Sequence, residues 1–294
     1  MGDTLFDLTY KAARQLGGEF AEGIATGGST TTLIDTVDRV EPDDHWKLGT
    51  VWILRDAGGA GAAPEREYSQ LSAYVFSTST ATLRNALTAG IAAGDRYAVG
   101  NARYPLQTLI EKINHALLGM GPIEFTDTSI TTVSDQSEYS LPIAANLNLR
   151  EVWEQRRIGA SNDNQWIKRI DWYPQRVGTG SADKLVFEVP PFANRLLKLV
   201  YFDVHPSLYV STDKLREGVH PERVVLRAAM EAVTARMQDP ADSDPRLEVN
   251  LRRLTDLLTV AESRFLIRAP ARQTKMLAFG RADVRRYPGD QTPR

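Results

Sequence analysis

Several short stretches carry residue types that do chemistry elsewhere, and each is weighed against the local structure it would need. Gly23-Ile24-Ala25-Thr26-Gly27-Gly28-Ser29-Thr30 has the glycine spacing of a phosphate-cradling loop, but Ser29 stands where a lysine must reach the phosphates. The stretch also runs into threonine-rich β-formers, whereas a phosphate loop opens a helix. It reads as a turn. Gly59-Ala60-Gly61-Ala62-Ala63-Pro64 begins like a dinucleotide fingerprint, lacks the third glycine, and has no helical stripe after it to hold a pyrophosphate. It reads as a hairpin loop. The four histidines, His45, His115, His205 and His220, have no metal-type spacing, and Asp43-Asp44 and Asp242-Ser243-Asp244 lack the alternation and distal glutamate of a calcium loop. The aspartates read as turn and cap residues, and His115, inside the second helix, reads as a surface or interface residue. There is no GxSxG elbow or HExxH motif, and with no cysteine there is no thiolate chemistry. No catalytic, cofactor-binding or metal-binding residue is therefore assigned, and no cofactor is expected.

Two features keep a binding interpretation. Trp153, Trp166, Trp172, Tyr173, Phe187, Tyr201 and Phe202 could stack bases, but no basic pattern visibly interleaves them, so they are assigned to the core and interface of a sheet. The last thirty residues hold seven bases and two acids, a net of +5, with three prolines and little apolar surface. Arg268, Arg272, Lys275, Arg281, Arg285, Arg286 and Tyr287 are either a solvated end or a segment that orders on a partner, pairing with acids and seating an aromatic ring.

Behind these stand the elements. Leu5, Leu8, Ala12 and Leu16 recur at helical spacing after Asp3-Thr4, and Gly17-Gly18 supplies a stop. The period then changes. From Gly27 to Val99, β-forming runs alternate with Gly, Pro and Asp clusters, and about five short strands in so few residues must curl into a small barrel or sandwich. This stretch carries nine acids and six bases through Gly100, a poor charge for clamping DNA. Pro105 opens a second helix whose stripe runs through Leu109, Ile113 and Leu117 to Gly119. A second β region follows from Glu138 to Val204, with alternation at Leu185-Val186-Phe187-Glu188-Val189 that suits antiparallel strands with one wet face. Pro221 and Pro245 then open two amphipathic helices separated by DPADSDP, the pattern of an antiparallel helical hairpin.

Composition adds bounds: 294 residues, 42% hydrophobic and 24% charged, are enough for more than one core. A formal charge of −2 gives no global pull toward nucleic acid or anionic membrane. The N-terminus is not patterned as a secretory signal, and no run approaches the ~18 apolar residues of a membrane span.

The order of parts carries a resemblance. Pro105-Leu106-Gln107-Thr108-Leu109-Ile110-Glu111-Lys112-Ile113-Asn114-His115-Ala116-Leu117-Leu118-Gly119-Met120-Gly121 followed by Ser137-Glu138-Tyr139-Ser140-Leu141-Pro142 resembles the head-to-tail adaptor proteins of tailed bacteriophages. Lys184 to Pro191, Lys198 to Pro206, Thr212-Asp213 and His220-Pro221-Glu222 resemble that family's closing strands and its approach to the last hairpin. Residues 27–100 are similar to a β-insert of phage structural proteins, departing from it at Gly58 to Glu67. The resemblance implies an α+β fold. Residues 1–26 and 101–266 would form a helical adaptor body with an antiparallel sheet or sandwich and a C-terminal helical hairpin. Residues 27–100 would be an inserted small β-barrel or sandwich, and 267–294 an extended basic arm.

It further implies a virion structural protein of the neck, made in the host cytoplasm and not an enzyme. Its copies would form a ring, usually twelvefold, between the portal protein and a tail-tube or nozzle protein. Double-stranded DNA would pass non-specifically through the lumen, no membrane would be involved, and the arm residues named above would meet the portal. The alternative is a tail or receptor-binding component that uses the β-module on a host surface.

Overall fold

The computed structural model describes residues 2–17, 20–141, 149–156, 165–175, 183–238 and 244–265. The first helix, α1 (Leu5–Leu16), starts where Thr4 and Asp7 form a reciprocal cap: the Asp7 carboxylate accepts from Thr4 N at 2.9 Å and the Thr4 hydroxyl accepts from Asp7 N. It ends at Gly17, whose φ of +67° suits a residue without Cβ.

Seven strands follow: β1 (Phe20–Ile24), β2 (Gly27–Gly28), β3 (Thr32–Ile34), β4 (Thr50–Arg55), β5 (Tyr68–Val75), β6 (Thr80–Leu83) and β7 (Arg96–Gly100). Their order is β1-β7-β4-β5-β6-β3-β2, every pair antiparallel. The two ends of this order are joined by Ala25 and Thr26 alone. Ala25 N donates to Asp95 O and Thr26 N to Ile34 O, so β1 and β2 act as one bent strand that closes the sheet into a barrel. Leu33, Val51, Ile53, Leu71, Tyr97 and Val99 fill it.

Helix α2 (Leu106–Leu118) leads to a second β region made of β8 (Ile123–Thr131), β9 (Glu138–Ser140), β10 (Leu149–Arg156), β11 (Gln165–Arg169), β12 (Trp172–Gln175), β13 (Lys184–Phe187) and β14 (Leu196–Asp203). Four of these pair as β11-β10-β14-β8 and three as β12-β13-β9, again all antiparallel. Tyr139, Trp172, Leu185 and Phe187 from the smaller sheet meet Val152, Leu197, Leu199 and Tyr201 from the larger in one core, which makes a sandwich.

The last helices are α3 (Pro221–Met237), with Pro at its first turn, and α4 (Arg246–Arg264). Leu8, Ala12, Leu109, Ile113, Val225, Ala229, Leu254 and Leu258 bring all four helices into one core. The barrel enters that core. Strand β4 is buried on both faces, sending Val51 and Ile53 inward and Trp52 among the helices, where its indole donates to the Thr9 hydroxyl at 3.1 Å.

The expectation of a helical body is overturned. Of the described residues about 32% are strand and about 27% helix, with fourteen strands in three antiparallel sheets against four helices, so antiparallel sheet outweighs helix in the chain as a whole and seven of the strands lie between α2 and α3. The reason lies in polar strands. β1 reads Phe-Ala-Glu-Gly-Ile and β8 reads Ile-Glu-Phe-Thr-Asp-Thr-Ser-Ile-Thr, and both are exposed on alternate residues. β8 lies at the edge of its sheet, where only one neighbour and one partly covered face require apolar side chains.

Candidate interaction surfaces

The structure spends the chemistry-bearing residues on architecture. His205 is buried, with Nδ1 donating to Pro206 O at 2.6 Å and Nε2 accepting from Arg216 N at 3.0 Å, and burial holds its pKa below the usual imidazole value. His220 accepts from Glu222 N as the N-cap of α3, and His115 Nδ1 lies 2.6 Å from Glu231, tying α2 to α3. His45 packs edge-on against Trp46. Asp43 accepts from Phe76 N, and Asp44, at φ +60°, pairs with Lys47 at 2.9 Å; that hydrogen bond keeps its carboxyl below the ordinary range. Asp244 accepts from Arg246 N at the start of α4, while Asp242 and Ser243 lie outside the described residues.

The glycine stretches are strand and turn. Gly23, Gly27 and Gly28 lie in β1 and β2, and Gly61 N donates to Glu65 in the loop after β4. Among the described residues no three His, Asp or Glu side chains converge as a metal-binding set.

One buried polar cluster has no counterpart in the sequence reading. At one end of the barrel the Tyr97 hydroxyl donates to Asp35 at 2.5 Å, Arg39 Nε lies 3.8 Å from the same carboxylate, and the guanidinium stacks near the Trp46 and Tyr97 rings. Burial, then the bond to Asp35, pushes the Tyr97 phenol far above its ordinary pKa. Arg39 Nε, Trp46 Nε1 and Tyr74 OH lack hydrogen-bond partners there, beside a cavity of about 10 Å³, about the room one water needs. Only the i,i+4 spacing of Asp35 and Arg39 hinted at this pair. Its work is to fix the loop above: the other Asp35 oxygen accepts from Val37 N and Asp38 N.

That loop presents Val37 and Val40, 71% and 73% exposed, with Phe76 nearby in the chain segment that Asp43 anchors. A second exposed apolar group crowns the sandwich. Glu154, 5% exposed, pairs with Arg169 and accepts from Phe192 N, and Arg169 also binds Asp171 and donates to Val189 O. This framework holds out Ile170, Val189 and Phe192, which are 88%, 61% and 68% exposed. A third runs along α4, where Val249, Leu257 and Val260 share a stripe turned away from Leu254 and Leu258 in the core.

Arg268, Arg272, Lys275, Arg281, Arg285, Arg286 and Tyr287, expected to meet a portal, lie outside the described residues. The point from which that segment departs is fixed. Phe265 stacks on His220 with ring centroids 3.4 Å apart, and Arg223 donates to Phe265 O at 2.8 Å, so the last described residue is held beside the first turn of α3. Of the aromatic set, Trp172, Phe187 and Tyr201 are core, Tyr173 is exposed on β12, and Trp153, Trp166 and Phe202 belong to the outer face of the four-stranded sheet.

No protein-family model matches this chain, and no curated protein matches it either.

Proposed function

We propose that this protein is a non-catalytic structural subunit of a bacteriophage head-to-tail adaptor, repeated in a ring between a portal and the tail. The observation that carries this reading is the set of three exposed apolar groups, on the barrel end, the sandwich tip and α4. Each is held in place by the fold, two of them by buried carboxylates, and such surfaces suit a subunit enclosed by copies of itself and by other proteins. Charge supports the same reading. The whole chain carries −2 and its last thirty residues +5, which leaves −7 on the remainder, an acidic body with a basic end. A basic arm of that kind orders against an acidic groove more readily than it packs on itself.

The test is assembly. The purified chain is mixed with portal rings and the mass of the complex is read by native mass spectrometry. A stoichiometric ring-on-ring complex is the expected result, and a chain that stays apart from the portal at micromolar concentration defeats the reading. A stop codon after Phe265 should weaken docking at least tenfold while leaving the circular dichroism of the remainder unchanged; undiminished docking would remove the arm from the interface.

A further inference from the structure

The outer face of the four-stranded sheet has an arrangement the apolar surfaces lack. Trp153 on β10 stands directly opposite Lys168 on β11 and Lys198 on β14, and Trp166 is the next outward residue along β11. Lys168 Nζ lies 5.8 Å from the Trp153 ring and Lys198 Nζ 5.8 Å from the Trp166 ring, so bases and indoles alternate across three strands. A groove of about 350 Å³ opens beside them, floored by Trp153, Val200 and Phe202.

Two cations line this groove without a carboxylate partner among the described residues, Lys198 and Arg150, and Arg150 Nε is buried with no hydrogen bond. Both sit at irregularities in the sheet. Arg150 is the extra residue where β10 shifts register against β14 between Leu149 and Glu151, which turns it onto the same face as Glu151. Lys198 lies opposite a second shift, in the pairing of β14 with β8. Bulges re-aim side chains in this way beside binding sites. Glu151 is already engaged by Lys168 and by the Trp153 indole, and Glu124 stands at the rim as an acceptor.

We propose that this face binds single-stranded nucleic acid, with an unpaired base in the groove against Trp153 and backbone phosphates on Lys198 and Arg150. An aromatic floor beside two cations that form no ion pair among the described residues is the chemistry of a ring that carries phosphate. A neutral sugar would leave both cations without an ion pair, and duplex DNA offers no base face to stack. Glu124 is placed to accept from an exocyclic base amine.

The experiment uses the full chain and a fluorescein-labelled single-stranded DNA 12-mer, read by fluorescence anisotropy in 50 mM NaCl. Micromolar binding that weakens steeply with salt is expected. Trp153→Ala and Lys198→Glu should each weaken it about tenfold, Lys198→Arg should keep it, and the matching duplex should bind at least tenfold less tightly. Circular dichroism of each variant checks the fold. No binding of the strand overturns the proposal, as does equal binding of the duplex or binding of a neutral oligosaccharide in its place. Binding that survives both weakening substitutions belongs to the basic C-terminal segment and overturns it too. Ring formation on a portal is no part of this readout, so the two proposals fail separately.

Discussion

Gly49 has no room for a methyl group. A Cβ there would clash with Gly100 O, at the end of β7, and lie 2.8 Å from Trp46 O, which accepts from Gly49 N in the turn before β4. Gly49→Ala should therefore destabilise the protein by about 1–3 kcal/mol or more, read as a lower urea midpoint, while Gly27→Ala, whose Cβ meets nothing within 4 Å, stays within about 0.5 kcal/mol. Thr9 is a second such residue. Its hydroxyl accepts from the Trp52 indole and donates to Phe6 O, so Thr9→Val keeps the volume and strands a buried N–H. The expected cost is about 1–3 kcal/mol in thermal or urea denaturation; an unchanged midpoint would mean that the indole finds another acceptor. Neither residue stands out in the sequence, because what constrains each is a neighbour more than forty positions away.

At the scale of elements, the segment between β14 and α3 hangs on neutral His205. Its folded pKa lies below the ordinary value of 6.5 because burial disfavours the charged ring, so below that pH the unfolded chain takes up a proton that the folded chain resists. Stability is then complete above about pH 6.5 and falls as the pH drops toward the folded value. The melting temperature of the native protein should decline between pH 7 and pH 5.5 more than that of His205→Gln, which loses stability throughout but has no ring to protonate.

Elements of this kind differ in how well the sequence announces them. The four helices were readable from apolar spacing and from Thr4, Gly17, Pro105 and Pro221, since a helix writes its buried face and its ends into nearby residues. β1 and β8 were not, because their Glu, Thr and Ser positions face solvent and their pairing partners lie far along the chain. The grouping on the face with Trp153 and Trp166 is hidden in the sequence for a related reason. Its bases, Lys168 and Lys198, come from different strands, and only the register sets them beside the indoles. The bulge that turns Arg150 outward has no signature in Leu149-Arg150-Glu151.

For the whole molecule, Trp52 and Ala98 are the decisive pair. They belong to barrel strands, yet they lie in the core shared by α1, α2, α3 and α4, so the barrel and the helices bury one another. Calorimetry should accordingly show the barrel and the helices melting in one transition, and a barrel transition resolved by more than a few degrees would show that the shared core couples them weakly. A last consequence concerns time. Leu5 N donates to Asp213 O, Leu215 N donates to Asp3 O, and Thr4 bridges Lys214, so the first helix is fastened by a strap made some two hundred residues later. At ordinary rates of translation, roughly 5–20 residues per second, α1 leaves the ribosome about 10–40 s before that strap exists. Throughout that interval the part of its apolar face that packs on α3 has no native cover, so nascent chains stalled before Lys214 are the ones a chaperone should hold longest.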